Sequence, residues 1–325
     1  MRVLVAGGAG YIGSHAAKAL ARAGHEPIVL DNLSSGHAHA VKWGPLVQAD
    51  IRDFGAVAAA LDTHKPDAVM HFAASIEVGI GQREPAAFYD NNVNGALTLV
   101  RAMLSRGVEA LVFSSTCAIY GDPLKLPLTE DEPPKPVSVY GRSKLMVETM
   151  LEDISRAHGL RYAALRYFNA SGADADGEIG EEHDPETHLI PNALKAAAGL
   201  GGAMKLFGTD YPTSDGTCER DFIHVADLAE AHILAAEHLL QGGGNLQLNL
   251  GTGEGRTVRE VLQAVERATG MPVPVNEAPR RDGDAVSLYA DTTKCRETLG
   301  WEPRCSDIDT IVRTAWDFHK HAWKL

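Results

Sequence analysis

The chain has 325 residues, 45% hydrophobic and 22% charged, an ordinary globular composition. It carries 30 Lys and Arg against 43 Asp and Glu, a net charge of −13, which argues against nucleic acid as the main partner because phosphate backbones need a basic face. No apolar run reaches the roughly 18 residues of a membrane span, and the length points to about two domains.

The opening MRVLVAGGAGYIG lacks a small-residue cleavage site and reads as a first strand and turn. Short apolar runs then alternate with helix-period segments. Strands are expected at Val3–Ala6, Ile28–Leu30, Leu46–Gln48, Ala68–His71, Ala110–Ser114 and Tyr162–Arg166, and helices at Ile12–Ala23, Phe54–Leu61, Tyr89–Ser105 and Tyr140–Ser155. Such alternation predicts an α/β fold, a Rossmann-type doubly wound parallel sheet with strands apolar on both faces. After Phe168 the pattern changes: a loop rich in Gly, Asp and Glu over Ser171–Thr187, a helix near Leu189–Ala198, a strand at Lys205–Phe207 and a loop Gly208–Arg220. Helix Val225–Leu240, strand Gln247–Leu250, a helix opened by the capping box Thr257–Glu260 and a closing helix Ile308–Lys320 complete the chain. The division expected is 1–168 for dinucleotide binding and 169–325 for a smaller α/β substrate domain, with room for the chain to cross back. Cys117, Cys218, Cys295 and Cys305 form no CxxC pair. Neither a disulfide framework nor a metal is expected, and a reducing cytoplasm is the expected compartment.

Gly7-Gly-Ala-Gly-Tyr-Ile-Gly13 follows a strand and opens a helix. Gly7 permits the tight turn, Gly10 lets backbone N–H groups approach a pyrophosphate, and Gly13 allows close helix–strand packing. Asp31, at the end of the next strand and about twenty residues downstream, suits a ribose 2′-hydroxyl and repels a 2′-phosphate, favouring NAD over NADP. Further on, Tyr140 and Lys144 stand one helical turn apart on one face. A phenol is a poor base at neutral pH; a nearby ammonium and an oxidised nicotinamide are expected to favour its phenolate. Ser114, Ser115 and Thr116 lie at a strand's carboxyl end, the side that faces ligand in this topology, although turn capping also accounts for Ser115.

The G-x-x-G-x-x-G spacing resembles that of the extended short-chain dehydrogenase/reductase family. The resemblance implies that Asp50 and Ile51 lie along adenine, and that Phe72, Ala73 and Ala74 line the dinucleotide, Phe72 alternatively being core. It also makes Thr116 the third catalytic member beside Tyr140 and Lys144. Relatives that eliminate water or decarboxylate carry acids after this Thr; Cys117 and Ala118 stand here and cannot serve as acid and base.

Tyr89-Asp-Asn-Asn-Val-Asn-Gly95, Leu165-Arg-Tyr-Phe-Asn169, Phe207-Gly-Thr-Asp-Tyr-Pro212, Asp215–His224, Leu248–Gly253 and Arg280-Arg-Asp-Gly-Asp284 resemble, in order, the UDP-glucose (UDP-galactose) 4-epimerase family. This implies a cofactor site that also takes in Tyr11, Ile12, Asn32, Asn91, Ser114 and Tyr167. It puts Asn169, Arg220 and Arg281 on a UDP diphosphate, Lys205 and Phe207 along the uridine, and Asp284 near a ribose. Phe168, His188 and Leu189 join the substrate site, and Leu288 becomes the wall that sets sugar size. Arg220 and Arg281 each have an adjacent acid, so a surface ion pair is the alternative reading for them, and His188 reads equally as a loop residue. The implied activity is NAD-dependent interconversion of UDP-glucose and UDP-galactose through a 4-keto sugar, by a homodimer. The alternatives are a UDP-pentose or UDP-N-acetylhexosamine epimerase, a net oxidoreductase, or a non-catalytic NAD sensor. Ile76 replaces a Lys common in the family, which implies weaker cofactor retention.

Overall fold

Seven short apolar segments build the centre of the molecule, a computed structural model in which residues 1–123, 125–281 and 284–325 are described. Strands β1 (Arg2–Ala6), β2 (Glu26–Asp31), β3 (Leu46–Gln48), β4 (Ala68–His71), β5 (Ala110–Thr116) and β6 (Arg161–Tyr167) fall where the apolar runs predict them. Helices α1 (Tyr11–Arg22), α2 (Phe54–His64), α3 (Val78–Arg83), α4 (Pro85–Tyr89), α5 (Gly95–Ser105) and α6 (Val139–His158) connect them. The expected single helix from Tyr89 is therefore divided: a π-helical turn, Asp90–Asn94, precedes α5. It turns the buried Asn92 inward, where its amide donates to Ser75 O and Ser143 Oγ.

Beyond Tyr167 run β7 (Asn169–Ser171), α7 (Leu189–Ala197), β8 (Met204–Phe207), β9 (Glu219–Arg220), β10 (Phe222–His224), α8 (Val225–Leu240) and β11 (Leu246–Leu250). Then come β12 (Arg256–Thr257), α9 (Val258–Thr269), β13 (Val275–Ala278), β14 (Ser287–Leu288), α10 (Thr293–Leu299) and α11 (Ile308–Ala322). The two- to four-residue strands β7, β9, β10, β12, β13 and β14 were not expected, because so few residues show no periodicity.

The main sheet is parallel, in the order β11-β6-β5-β4-β1-β2-β3. Its seventh strand comes from residues 246–250, so the chain crosses back into the first layer. Alternate side chains of each strand face opposite layers. Val3, Val5 and Met70 meet Leu20 of α1 and Leu239 of α8 on one face. Leu4, Leu30 and Val69 meet Leu61, Leu99, Met103 and Leu151 of α2, α5 and α6 on the other. Burying each such side chain contributes about 1.5–3 kcal/mol. A further core of Ile190, Leu194, Val261, Val265, Ile311 and Trp316 joins α7, α9 and α11. The strand order reverses between β1 and β4, and in open sheets the crevice at such a point, outside the strands' carboxyl ends, receives ligand.

Candidate active site

The carboxyl ends of β1, β4, β5 and β6 open onto a cavity of about 1190 Å³, whose opposite wall comes from α7, β8 and the segment around Arg220. At its floor Gly7 takes φ +82°, and a Cβ there would lie 2.5 Å from the Ala73 nitrogen; at Gly13 it would lie 2.1 Å from the Gly7 carbonyl oxygen. A Cβ at Gly10, the N-cap of α1, would meet only that oxygen at 3.4 Å and would fill cavity space instead. These three glycines thus make a backbone cradle at a helix N-terminus, where N–H groups and the helix dipole favour an anion. Asp31 braces the cradle, accepting from Ala9 N at 3.0 Å and Leu33 N at 2.8 Å. Tyr11 and Ile12 line the same end, the Tyr11 hydroxyl donating to Gly172 O at 2.6 Å.

Asn32, Ile51, Phe72, Ala73, Ala74, Asn91, Ser114 and Tyr167 also line the cavity. Phe72 shows both readings at once, packing on the core beside His232 while contributing to the wall. Asp50 is held by two residues of that wall, its carboxylate bound by Arg52 at 2.7 and 2.9 Å and by Asn32 at 3.0 Å. The Arg52 guanidinium holds Asp50 far below the usual carboxylate range.

Tyr140, Lys144 and Thr116 meet at the centre. Ser138 caps α6 by accepting from Gly141 N at 3.0 Å, which sets the first turn carrying Tyr140. Lys144 Nζ donates to Ser114 O at 2.7 Å and lies 5.7 Å from the Tyr140 ring centroid. Burial pushes Tyr140 up, Tyr167 adds to the rise, and only the Thr116 hydroxyl acts in the other direction. Burial also brings the Lys144 ammonium down to about 7 against the pull of Glu148, so it is a weakened cation. Ser115 is turned away from the cavity; its hydroxyl donates to Glu148 Oε1 at 2.5 Å and caps no turn.

At the far end, Phe168, Asn169, His188, Leu189, Lys205, Phe207, Arg220, Arg281 and Asp284 all line the cavity. Arg281 lies over the Phe207 ring, 3.9 Å from its centroid. Arg220 stands 3.6 Å from Asp284, so the ion-pair reading holds for it, inside the cavity wall. Asp282 and Gly283 of the Arg280–Asp284 motif lie outside the described residues. Asn169 donates to Asp221 O at 2.9 Å. His188 Nδ1 contacts Glu181 at 2.8 Å and Glu186 at 3.0 Å. Burial opposes its charge, yet the two carboxylates raise the ring to about 10. Leu288, in β14, packs with Ile119, Leu128, Phe168 and Ala290, and of these Phe168 lines the cavity.

The family model described as NAD dependent epimerase/dehydratase family matches residues 3–251. The chain belongs to that family. It is 53% identical over 317 residues to a UDP-glucose 4-epimerase of Rhizobium meliloti (strain 1021), covering 98% of this chain and 96% of that one. Among solved structures, UDP-glucose 4-epimerase from Brucella ovis in complex with NAD matches with TM-score 0.96 and 54% identity, covering 97% of each chain. The Stenotrophomonas maltophila UDP-glucose-4-epimerase with bound NAD and formylated UDP-arabinopyranose matches with TM-score 0.97 and 42% identity, covering 100% of this chain and 99% of that one.

In this epimerase/dehydratase chain one residue behind the centre went unnoticed in the sequence. Glu148 is 2% exposed and pairs with Arg166, which is 4% exposed. Arg166 reaches Tyr120 at 2.9 Å, and Tyr120 donates to Asn249 at 2.7 Å, so one buried network joins α6, β5, β6 and β11. The signal was present: Tyr140, Lys144 and Glu148 repeat every four residues along one helix face.

Proposed function

We propose that the chain is an NAD-dependent UDP-glucose 4-epimerase, interconverting UDP-glucose and UDP-galactose through a 4-keto sugar. The observation that carries this is one cavity holding a glycine cradle at one end, Tyr140, Lys144 and Thr116 at the centre, and Arg220, Arg281 and Phe207 at the other. The cradle fits a dinucleotide, because Gly10 leaves a space a Cβ would take and Asp31 stands beside it. When bound, NAD supplies a reversible hydride acceptor. Gly7, Gly10 and Gly13 would hold its pyrophosphate, Asp31 and Asn32 a ribose, and Lys144 the second ribose.

Tyr140 serves as general base toward the sugar 4-hydroxyl, with the Thr116 hydroxyl between them, and returns the proton once the sugar has turned. Since burial disfavours the phenolate, Tyr140 needs a positive charge beside it to act, which links proton removal to a loaded cofactor site. Arg220 and Arg281 hold the diphosphate by guanidinium contacts that suit phosphate, while the sugar end stays free to rotate. Leu288, packed behind the cavity-lining Phe168, sets the size of sugar accepted together with it. A homodimer through α5 and α6, with the exposed Met146 on that face, completes the reading. The four free cysteines agree with a reducing compartment.

The direct test mixes the protein with UDP-galactose and follows UDP-glucose, with UDP-N-acetylglucosamine and UDP-xylose in the same panel. Folded, NAD-bound protein that converts none of them overturns the proposal. Tyr140→Phe should lower kcat by about 10²–10⁴ with NAD still bound; a variant retaining full turnover excludes Tyr140 as the base.

A further inference from the structure

Residues 181–188 fold back so that Glu181, His183, Glu186 and His188 converge. One donor atom from each lies within 4.8 Å of all the others. The carboxyl groups are 6% and 3% exposed. Their oxygens lie 2.8 and 3.0 Å from His188 Nδ1, and 3.2 and 3.9 Å from His183 Nδ1. Four donors held at about 2.1 Å around a tetrahedral ion stand about 3.4 Å apart, and these nitrogen–oxygen distances, taken over both Glu186 oxygens, straddle that value.

Hydrogen bonding accounts for only half of the cluster. His188 Nδ1 bonds Glu186 Oε1 at 3.0 Å. His183 Nδ1 is buried and has no hydrogen-bond partner, although Glu181 Oε1 is 3.2 Å away. The two atoms are close enough to serve as ligands of a common third atom. Charge is compatible: the two buried carboxylates carry −2, of which a charged His188 offsets one, and a divalent ion that displaces the His188 proton would offset both. The His183 ring is also held in place, 5.0 Å from the His188 ring and edge-on to Tyr11 at 6.4 Å. The neighbouring acidic group Asp174, Asp176 and Glu178 differs, because the Lys18 ammonium already fills it at 2.5–3.2 Å.

We propose that Glu181, His183, Glu186 and His188 form a binding site for a divalent cation of the zinc class, for which two imidazoles and two carboxylates are a suitable donor set. Four protein ligands close the coordination shell, so the ion acts on structure and charge. It ties the 181–188 loop to the start of α7 and adds positive charge to the wall formed by Glu181, His183 and His188, next to Tyr11. The proposal stands independently of the epimerase reading.

The test uses the full chain, stripped with chelator and dialysed. Calorimetric titration with zinc sulfate should give one ion per chain, and cobalt(II) loading should give the strong visible absorption of a tetrahedral site. His183→Ala and Glu186→Gln should each weaken binding at least about a hundredfold, with circular dichroism unchanged. An absence of saturable binding in the wild-type chain, or octahedral cobalt spectra, overturns the site. Binding unchanged in both variants also overturns it, since the ion is then adventitious only. Should either variant misfold, the wild-type stoichiometry and cobalt spectrum decide the matter.

Discussion

Gly10 and Gly13 look alike in the sequence and differ in what surrounds them. A methyl on Gly13 would collide with the Gly7 carbonyl at 2.1 Å, a backbone atom that cannot move without opening the turn. A methyl on Gly10 meets nothing closer than 3.4 Å. Gly10→Ala should therefore fold with a Tm within a few degrees of the parent while losing bound NAD. Gly13→Ala should lose both, with a destabilisation of about 1–3 kcal/mol from overpacking. Measuring Tm and NAD released on denaturation checks the pair; equal effects at the two positions would show that the cradle is not specific to ligand. Ile76, 36% exposed, lines the cavity at the position where the family resemblance implies a Lys. Ile76→Lys should slow NAD loss on dialysis, and an unchanged rate would remove this position from cofactor retention.

Helix α6 shows how one element organises the chemistry. Its spacing of four brings Tyr140 and Lys144 to the cavity and turns Glu148 into the interior, where Arg166 and Ser115 engage its carboxylate. The pair joins the helix to β5 and β6, the strands that carry Thr116 and Tyr167. Glu148→Gln leaves the buried Arg166 without a countercharge and should cost about 3–5 kcal/mol, read as a fall in the denaturant midpoint. A loss below about 1 kcal/mol would mean that the network is not structural. Amphipathic helices such as α6, α8 and α11 were legible because twelve or more residues repeat one period. The π-helical turn at Asp90–Asn94 was not, since its extra residue serves contacts of Asn92 with Ser75 and Ser143, distant in the chain.

The whole molecule depends on histidines held neutral. His15, His232 and His319 are lowered to about 4 and His71 to about 3, in each case chiefly by burial. Each has a buried ring nitrogen without a partner. The unfolded chain binds protons at these rings near pH 6.5, and the folded chain only near 3–4. Unfolding thus takes up protons in that window, and stability, fully present above about pH 6.5, falls as pH drops toward 4, by up to about 3 kcal/mol for each ring lowered to about 4. Melting curves from pH 8 to 4 should be flat at first and then decline steeply; a Tm unchanged at pH 4.5 would show that these rings accept protons in place. By itself the sequence determined the six leading strands, the glycine cradle and the Tyr140–Lys144 pair, because each is written in local spacing or residue chemistry. Only the tertiary structure decided that β11 returns to the sheet, that Arg52 and Asn32 bind the Asp50 carboxylate, that burial raises the Tyr140 phenol, and that Glu181, His183, Glu186 and His188 meet. Those outcomes depend on which distant residues come together and on how much water is excluded between them, and neither is encoded in local spacing.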